Sequence, residues 1–86
     1  MNSEYLALQI AAETKENLIQ SDLMTVRSKI TMAAAIGKEE ATASTKYELS
    51  KDFTEALSDY GIHCQKVSSD DTERVTYRFE FSNVEV

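Results

Sequence analysis

The clearest pattern of apolar and polar positions lies near the C-terminus, where every second residue is large and apolar. The apolar positions are Val75, Tyr77, Phe79 and Phe81, and polar residues fill the gaps between them. Successive side chains of a strand point to opposite faces of a sheet. The pattern therefore predicts a strand over residues 74–82 with one dry face and one wet face, and the dry face needs apolar cover from the rest of the chain.

Weaker patterns predict two more strands and a short helix between residues 42 and 83. Residues 43–49 alternate between apolar and polar side chains, and residues 62–67 form a further candidate strand before an acidic turn at residues 68–72. Ser50 is placed to cap a helix whose Asp52 lies in the first turn. The apolar face of this helix consists of Phe53, Ala56, Leu57 and Tyr60.

The first 37 residues predict helix, but they leave open whether there are one or two helices. One apolar stripe contains Leu6, Ile10 and Ala11 and continues to Leu18 and Ile19; a second contains Leu23, Val26, Ile30 and Ala33. The two stripes are out of phase, which favours two helices joined by a tight turn near residues 20–22, with Ser21 or Asp22 as the second cap. No residue there breaks a helix outright, so one long helix is the alternative.

These elements predict a single α+β domain over residues 1–86. Residues 1–37 supply an αα-hairpin or one long helix, and residues 42–83 supply a β-α-β-β unit whose three-stranded, mainly antiparallel sheet carries the helices on one face. Gly37 and Gly61, the only glycines, are expected to end helices. A chain of 86 residues buries only roughly 60–65% of its unfolded surface, so self-association would stabilise it.

Charge and cysteine content narrow the range of partners and compartments. Fifteen acidic and nine basic residues give a net charge of -6, and the cations are spread among the acids, which disfavours direct nucleic-acid binding. Cys64 is the only cysteine, so no intramolecular disulfide forms and a reducing compartment fits best. The N-terminus lacks signal-peptide features, and an uncharged stretch such as residues 30–37 is too short for a membrane span. We expect a protein of the cytoplasm.

No catalytic, nucleotide-binding or metal-binding motif is recognisable, so we expect no enzyme activity, no metal and no cofactor. His63 and Cys64 are neighbours on a predicted strand and therefore face opposite ways, Cys64 towards the core and His63 towards water. Asp70, Asp71 and Glu73 cluster at the hairpin tip without the glycine and ligand spacing of a calcium loop. They predict a solvated turn.

Two surfaces are candidate binding sites. The second apolar stripe, with its heptad-like spacing, is the predicted oligomer interface, formed by Leu23, Val26, Ile30 and Ala33. A ridge of acids at helical spacing is the predicted partner-binding surface, formed by Asp52, Glu55 and Asp59. Tyr5 and Leu8 form a second apolar surface on the first helix, whereas Tyr47, Tyr60 and Tyr77 fall on predicted dry faces.

The C-terminal half contains the segments Lys46-Tyr-Glu-Leu-Ser, Tyr60-Gly61-Ile62 and Tyr77-Arg-Phe-Glu-Phe-Ser-Asn83. Through these segments, about residues 42–83 resemble small bacteriophage proteins of uncharacterised role. The chain departs from the family pattern by placing Tyr60 before the glycine and Phe81 where a tryptophan is common. The resemblance implies a phage or prophage origin and no catalytic residue. It therefore also implies the cytoplasm of a host cell, with association with a virion as the alternative.

Together these features predict a non-enzymatic phage-type interaction protein that self-associates through its N-terminal helices. Its other partner would be a host or virion protein, for example a host factor or defence component that it inhibits. The alternatives are a virion assembly component, an acidic DNA-mimic decoy that uses Asp52, Glu55 and Asp59, and an oligomeric sponge for a small anionic signal molecule. We expect no membrane partner.

Overall fold

The computed structural model describes residues 2–68 and 74–84 and contains, within them, two helices and three strands. In chain order they are α1 (Ser3–Ala35), β1 (Glu40–Thr45), α2 (Lys51–Asp59), β2 (His63–Ser68) and β3 (Val75–Glu80). The predicted α+β fold with an antiparallel three-stranded sheet is confirmed. The predicted solvated turn with Asp70, Asp71 and Glu73 lies outside the described residues.

The N-terminal part is one continuous helix of 33 residues, so the favoured helical hairpin is wrong and its alternative is correct. No glycine or proline interrupts residues 3–35. Asn2 caps the start of the helix, and its Oδ1 accepts a hydrogen bond from the Glu4 amide at 2.9 Å. Asp22 caps no second helix; its side chain is buried against the loop that follows β1.

Both helices end in the same way, at the two glycines. Gly37 has φ +83° and Gly61 has φ +88°, a conformation that strains residues with a Cβ. After α1, the Lys38 amide donates to the Ala33 carbonyl at 2.9 Å, and after α2, the Ile62 amide donates to the Leu57 carbonyl at 2.9 Å. These are Schellman motifs, and the prediction that both glycines end helices is confirmed.

The sheet has the strand order β1-β3-β2, so the strand with the clearest sequence pattern is the central one. It pairs antiparallel with both neighbours, with Ala41 and Cys64 on either side of Phe79. Tyr77 and Phe79 are buried and Arg78 between them is exposed, which confirms one dry and one wet face.

The first strand differs from its predicted range. It begins at Glu40, ahead of the predicted alternation, and ends at Thr45, so Tyr47 and Leu49 lie in the loop before α2. Glu40 belongs to the ladder because it faces Glu80 on β3, and its carboxylate forms an ion pair with Arg78. The alternation of residues 43–49 therefore reflects a strand followed by a loop that keeps Leu49 half-buried.

The apolar core holds the helices against the dry face of the sheet. Its buried members are Val26, Ala43, Tyr77, Phe79 and Phe81. Residues of both helices pack against this cluster, including Ile30 of α1 and Phe53 of α2, so both helices cover the same face as predicted. Among the tyrosines assigned to dry faces, Tyr77 is buried and Tyr47 is half-buried. Tyr60 is exposed because it is the C-cap residue of α2.

A buried carboxylate joins the middle of α1 to the loop between β1 and α2. Asp22 Oδ1 accepts from the Lys46 amide and Oδ2 from the Tyr47 amide, each at 3.0 Å. We call this contact the Asp22 clamp. Two further bonds hold the same loop: the Thr45 hydroxyl donates to the Tyr47 carbonyl at 2.6 Å, and the Leu49 amide donates to the Tyr77 hydroxyl at 2.9 Å. The loop is therefore fixed by α1, by β3 and by its own side chains.

Replacing Asp22 with alanine is expected to lower the free energy of unfolding by about 2–4 kcal/mol, because two amide donors lose their acceptors in a buried place. The matched change Asp59→Ala, at an exposed position of α2, should alter it by less than about 0.5 kcal/mol. Denaturant titration at one protein concentration measures both. Equal effects of the two variants would contradict a stabilising role for the clamp.

The two glycines should respond differently to alanine. Gly37→Ala is expected to lower the free energy of unfolding by about 1–2 kcal/mol, because alanine is strained in a left-handed backbone conformation. No steric clash adds to this cost, since none of the described atoms lies within 4 Å of the added Cβ. Gly61→Ala should cost clearly more, because its Cβ would lie 2.8 Å from the Asn83 carbonyl carbon and would collide with the carbonyl oxygen. Thermal or denaturant unfolding of both variants tests this order, and a smaller loss at Gly61 would refute it.

Candidate functional site

The residues predicted to form the oligomer interface are largely used within the chain itself. Val26 is only 1% exposed and belongs to the core, and Ile30 and Ala33 pack against that core. Leu23 is half-buried. Val26 is therefore unavailable to a second chain, because the sheet already covers it. Leu23 and Ile30 retain a partly open side, which lines a groove.

This groove runs between α1 and α2 and has a volume of about 380 Å³. Its walls are almost wholly apolar, with Leu23 and Ile30 on α1 and Phe53 and Leu57 on α2. The remaining lining residues are Met24, Val26, Arg27, Thr31 and Ile62. We call it the interhelix groove. It exists because each helix packs mainly on its own edge of the sheet, α1 on β1 and α2 on β2, which leaves the space between the helices open.

The N-terminal half of α1 extends beyond the sheet, and every side chain of residues 3–17 is exposed. We call these residues the overhang. It is about 23 Å long at the rise of an α-helix. Tyr5 is 66% exposed and Leu8 is 68% exposed, and Leu6 and Ile10 are exposed on another side. Near its end, the Lys15 ammonium lies 5.7 Å from the centroid of the Tyr47 ring, a cation–π contact.

The overhang continues the stripe with which α1 packs on the sheet. Tyr5 and Leu8 precede Ile19, Asp22 and Val26 at helical spacing, so all five lie on one side of the helix. The apolar pattern alone favours Leu6 and Ile10 as the main stripe and puts Tyr5 and Leu8 on a second surface. In the structure, the side of α1 that packs on the sheet is instead the side that carries Tyr5 and Leu8. The signal that identifies the continuous stripe is the repeated three- and four-residue spacing from Tyr5 to Val26.

The molecule exposes more surface than a compact protein of its mass. Its accessible surface is 6598 Å², against about 5,100 Å² expected for a folded monomer of this mass. Its radius of gyration is 15.7 Å, against about 12 Å for a compact domain of this length. The overhang accounts for this shape, because α1 is longer than the sheet that it covers.

The predicted acidic ridge lies on the solvent side of α2, where Asp52, Glu55 and Asp59 are all exposed. The ridge is not uniformly negative, because the Lys51 ammonium lies 3.7 Å from Glu55 Oε1. An exposed pair of this kind contributes little to stability. The use of the ridge as a partner-binding surface stays a prediction.

The wet face of the sheet carries polar side chains that bond to one another. Glu40 pairs with Arg78, and the Ser44 and Thr76 hydroxyls are 3.0 Å apart. Hydrogen bonds from the Ser82 hydroxyl, and then from the Ser82 amide, hold the pKa of Glu80 below its usual range. These side chains present hydrogen-bonded polar groups to water, so the wet face differs in character from the groove.

The two soft side chains His63 and Cys64 lie on opposite faces, as predicted. His63 is exposed on the wet face, opposite Glu80, whereas Cys64 is half-buried on the core side, opposite Phe79. Burial raises the pKa of the Cys64 thiol. The nearby Lys66 ammonium is engaged by Glu48 at 2.8 Å, which raises the pKa of Lys66 and lowers that of Glu48. This environment favours the protonated thiol, which is a poor nucleophile.

Within residues 2–68 and 74–84, no three His, Cys, Asp or Glu side chains are grouped so as to hold a metal ion. In the same part of the chain, no helix has the length and apolar composition needed to cross a membrane. Comparisons of the chain with protein-family models, with curated proteins and with solved structures find no match. The function must therefore be inferred from the residues of this chain, and the candidate sites are the overhang and the interhelix groove.

Cys64 should react slowly with an alkylating reagent at neutral pH. Its ordinary pKa of 9.0 is raised by burial, so the folded chain holds the thiol proton more tightly than the unfolded chain. Iodoacetamide should modify native Cys64 more slowly than the urea-unfolded chain at pH 7, and the native rate should rise as the pH passes 9. Because the folded chain binds the thiol proton more tightly than the unfolded chain, the free energy of unfolding falls as the pH rises above about 9. Mass spectrometry follows the modification, and a native rate at pH 7 equal to the unfolded rate would contradict this environment.

Proposed function

We propose that this protein is a non-enzymatic binding protein that self-associates through the overhang of α1. The observation that supports this proposal is the exposure of Tyr5 and Leu8 on the same stripe that packs on the sheet farther along the helix. Exposed apolar patches bordered by polar residues are typical of protein-binding surfaces. The overhang is such a patch on a rigid helix that the sheet anchors at its other end.

Burial of the overhang would supply enough free energy for association. Full burial of one large apolar side chain is worth about 1.5–3 kcal/mol, and the overhang offers Tyr5 and Leu8 on one side of the helix. Little ordering is needed on binding, because α1 continues without interruption from its anchored half. A preformed helix loses less conformational entropy on binding than a disordered segment does.

A second partner would bind to a surface that self-association leaves free, and the acidic ridge of Asp52, Glu55 and Asp59 is our candidate. Such a partner would present basic side chains, and binding would weaken as salt screens the charges. If the resemblance to phage proteins reflects origin, this partner is a host or virion protein. The alternatives of virion component, DNA-mimic decoy and signal-molecule sponge differ from this proposal in the identity of the partner and share its non-catalytic character.

The first test is the association state of the intact chain and of an overhang variant. Sedimentation across a range of protein concentrations should show self-association, and Leu8→Glu should raise the dissociation constant roughly 10–100-fold through loss of apolar burial. The matched control is Met32→Glu, because Met32 is equally exposed on the same helix but outside the overhang and the groove. It should leave association unchanged.

Circular dichroism of each variant should retain the helical signal, because the changed residues are exposed. A monomeric intact chain at all accessible concentrations would refute the proposed function. Equal losses for Leu8→Glu and Met32→Glu would also refute it, since added charge alone would then explain the effect.

A further inference from the structure

We propose that the overhang of one copy occupies the interhelix groove of a second copy, in a two-fold antiparallel pair of α1 helices. This inference rests on the proposed function and adds the identity of the surface that receives the overhang. Two apolar features lack cover, an exposed segment of α1 and an open groove of which α1 forms one wall.

The positions of these features along α1 determine the symmetry of the pair. At 100° per residue, the overhang residues Tyr5, Leu8 and Ala12 lie within one sector of about 60°. Three groove-lining residues of α1 share this sector, namely Leu23, Val26 and Ile30. A second helix laid antiparallel along this sector brings its own overhang to the groove of the first copy. Both contacts form at once, so the pair is closed and isologous.

The lengths of the two features match. Tyr5, Leu8 and Ala12 extend over about two helical turns, and the groove residues of α1 from Leu23 to Thr31 extend over a similar length. Ala12 has a small side chain that permits close approach of two helices, and the half-buried Phe53 and Leu57 would pack against the entering side chains.

Charge along α1 favours the antiparallel direction. The exposed charged residues among residues 3–22 are three acids, Glu4, Glu13 and Glu16, and one lysine, Lys15, since Asp22 is buried in the clamp. Residues 23–38 contain Arg27, Lys29 and Lys38 and no acid. An antiparallel pair places the acidic half of each helix beside the basic half of the other, whereas a parallel pair would place like charges together.

The exposed area is sufficient for a stable dimer. The surface beyond that of a compact monomer is about 1,500 Å², and a standard interface buries about 800 Å² on each partner.

A complementation experiment tests the pairing of overhang with groove. The overhang variant carries Tyr5→Glu and Leu8→Glu, and the groove variant carries Met24→Glu and Thr31→Glu; all four positions are exposed in the single chain. In the symmetric pair each of the two contacts joins one overhang to one groove, so a variant paired with itself loses both contacts. Its dissociation constant should therefore rise about 100-fold or more. Met32→Glu serves again as the control that should leave the dimer intact.

A mixture of the two variants restores one complete contact, between the intact overhang of the groove variant and the intact groove of the overhang variant. We expect heterodimers at concentrations where each variant alone is monomeric. Native mass spectrometry with one variant labelled with ¹⁵N distinguishes heterodimers from homodimers. Circular dichroism of both variants shows whether the helices remain folded.

The outcomes separate this inference from the proposed function. A dimeric intact chain with no heterodimer in the mixture would overturn the overhang–groove pairing while leaving self-association through the overhang in place. Growth into species larger than a dimer would overturn the two-fold closure. A monomeric intact chain would overturn both the pairing and the proposed function, and dissociation by Met32→Glu would overturn the pairing.

Discussion

The buried carboxylate of Asp22 determines how helix and sheet are arranged. Its two oxygens accept hydrogen bonds from the consecutive amides of Lys46 and Tyr47, directly after β1. A carboxylate is tolerated in a buried place when its oxygens are hydrogen-bonded, so α1 has one favoured position along its own axis. That position places Val26 and Ile30 over the core and leaves residues 3–17 beyond the sheet. The overhang follows from it, whereas the groove follows from the packing of α1 and α2 on separate edges of the sheet.

The C-terminal unit is predictable because its signals are local. The alternation around Phe79 specifies a half-buried strand, Ser50 caps α2, and Gly37 and Gly61 end helices with their left-handed backbone. The continuity of α1 is harder to predict, because the choice between a hairpin and one helix depends on contacts distant in sequence. Asp22 is a good cap by residue type, yet in the fold it bonds to amides 24 and 25 residues away.

In the candidate site, too, the features set by neighbouring residues are predictable from the sequence, whereas the features set by residues far apart in the chain are not. An apolar stripe at helical spacing has the same appearance whether a sheet or another chain covers it, so the pattern assigns Val26 to an oligomer interface although it lies in the core. The exposure of Asp52 follows from its helical position and is predictable. The groove combines residues of α1, residues of α2 and Ile62, and no linear pattern brings these together before the fold is known.

The strand order links the formation of both outer strands to β3. The strands β1 and β2 lie on opposite sides of β3, and each obtains its ladder from this central strand, which follows both in the chain. Residues paired between β1 and β3 are about 30–40 positions apart, so closing that loop is the entropically costly step of folding. An α1 helix that forms before this step has no sheet to cover. Its whole apolar side is then open to other nascent chains, which makes the interval before β3 inserts the period of greatest aggregation risk.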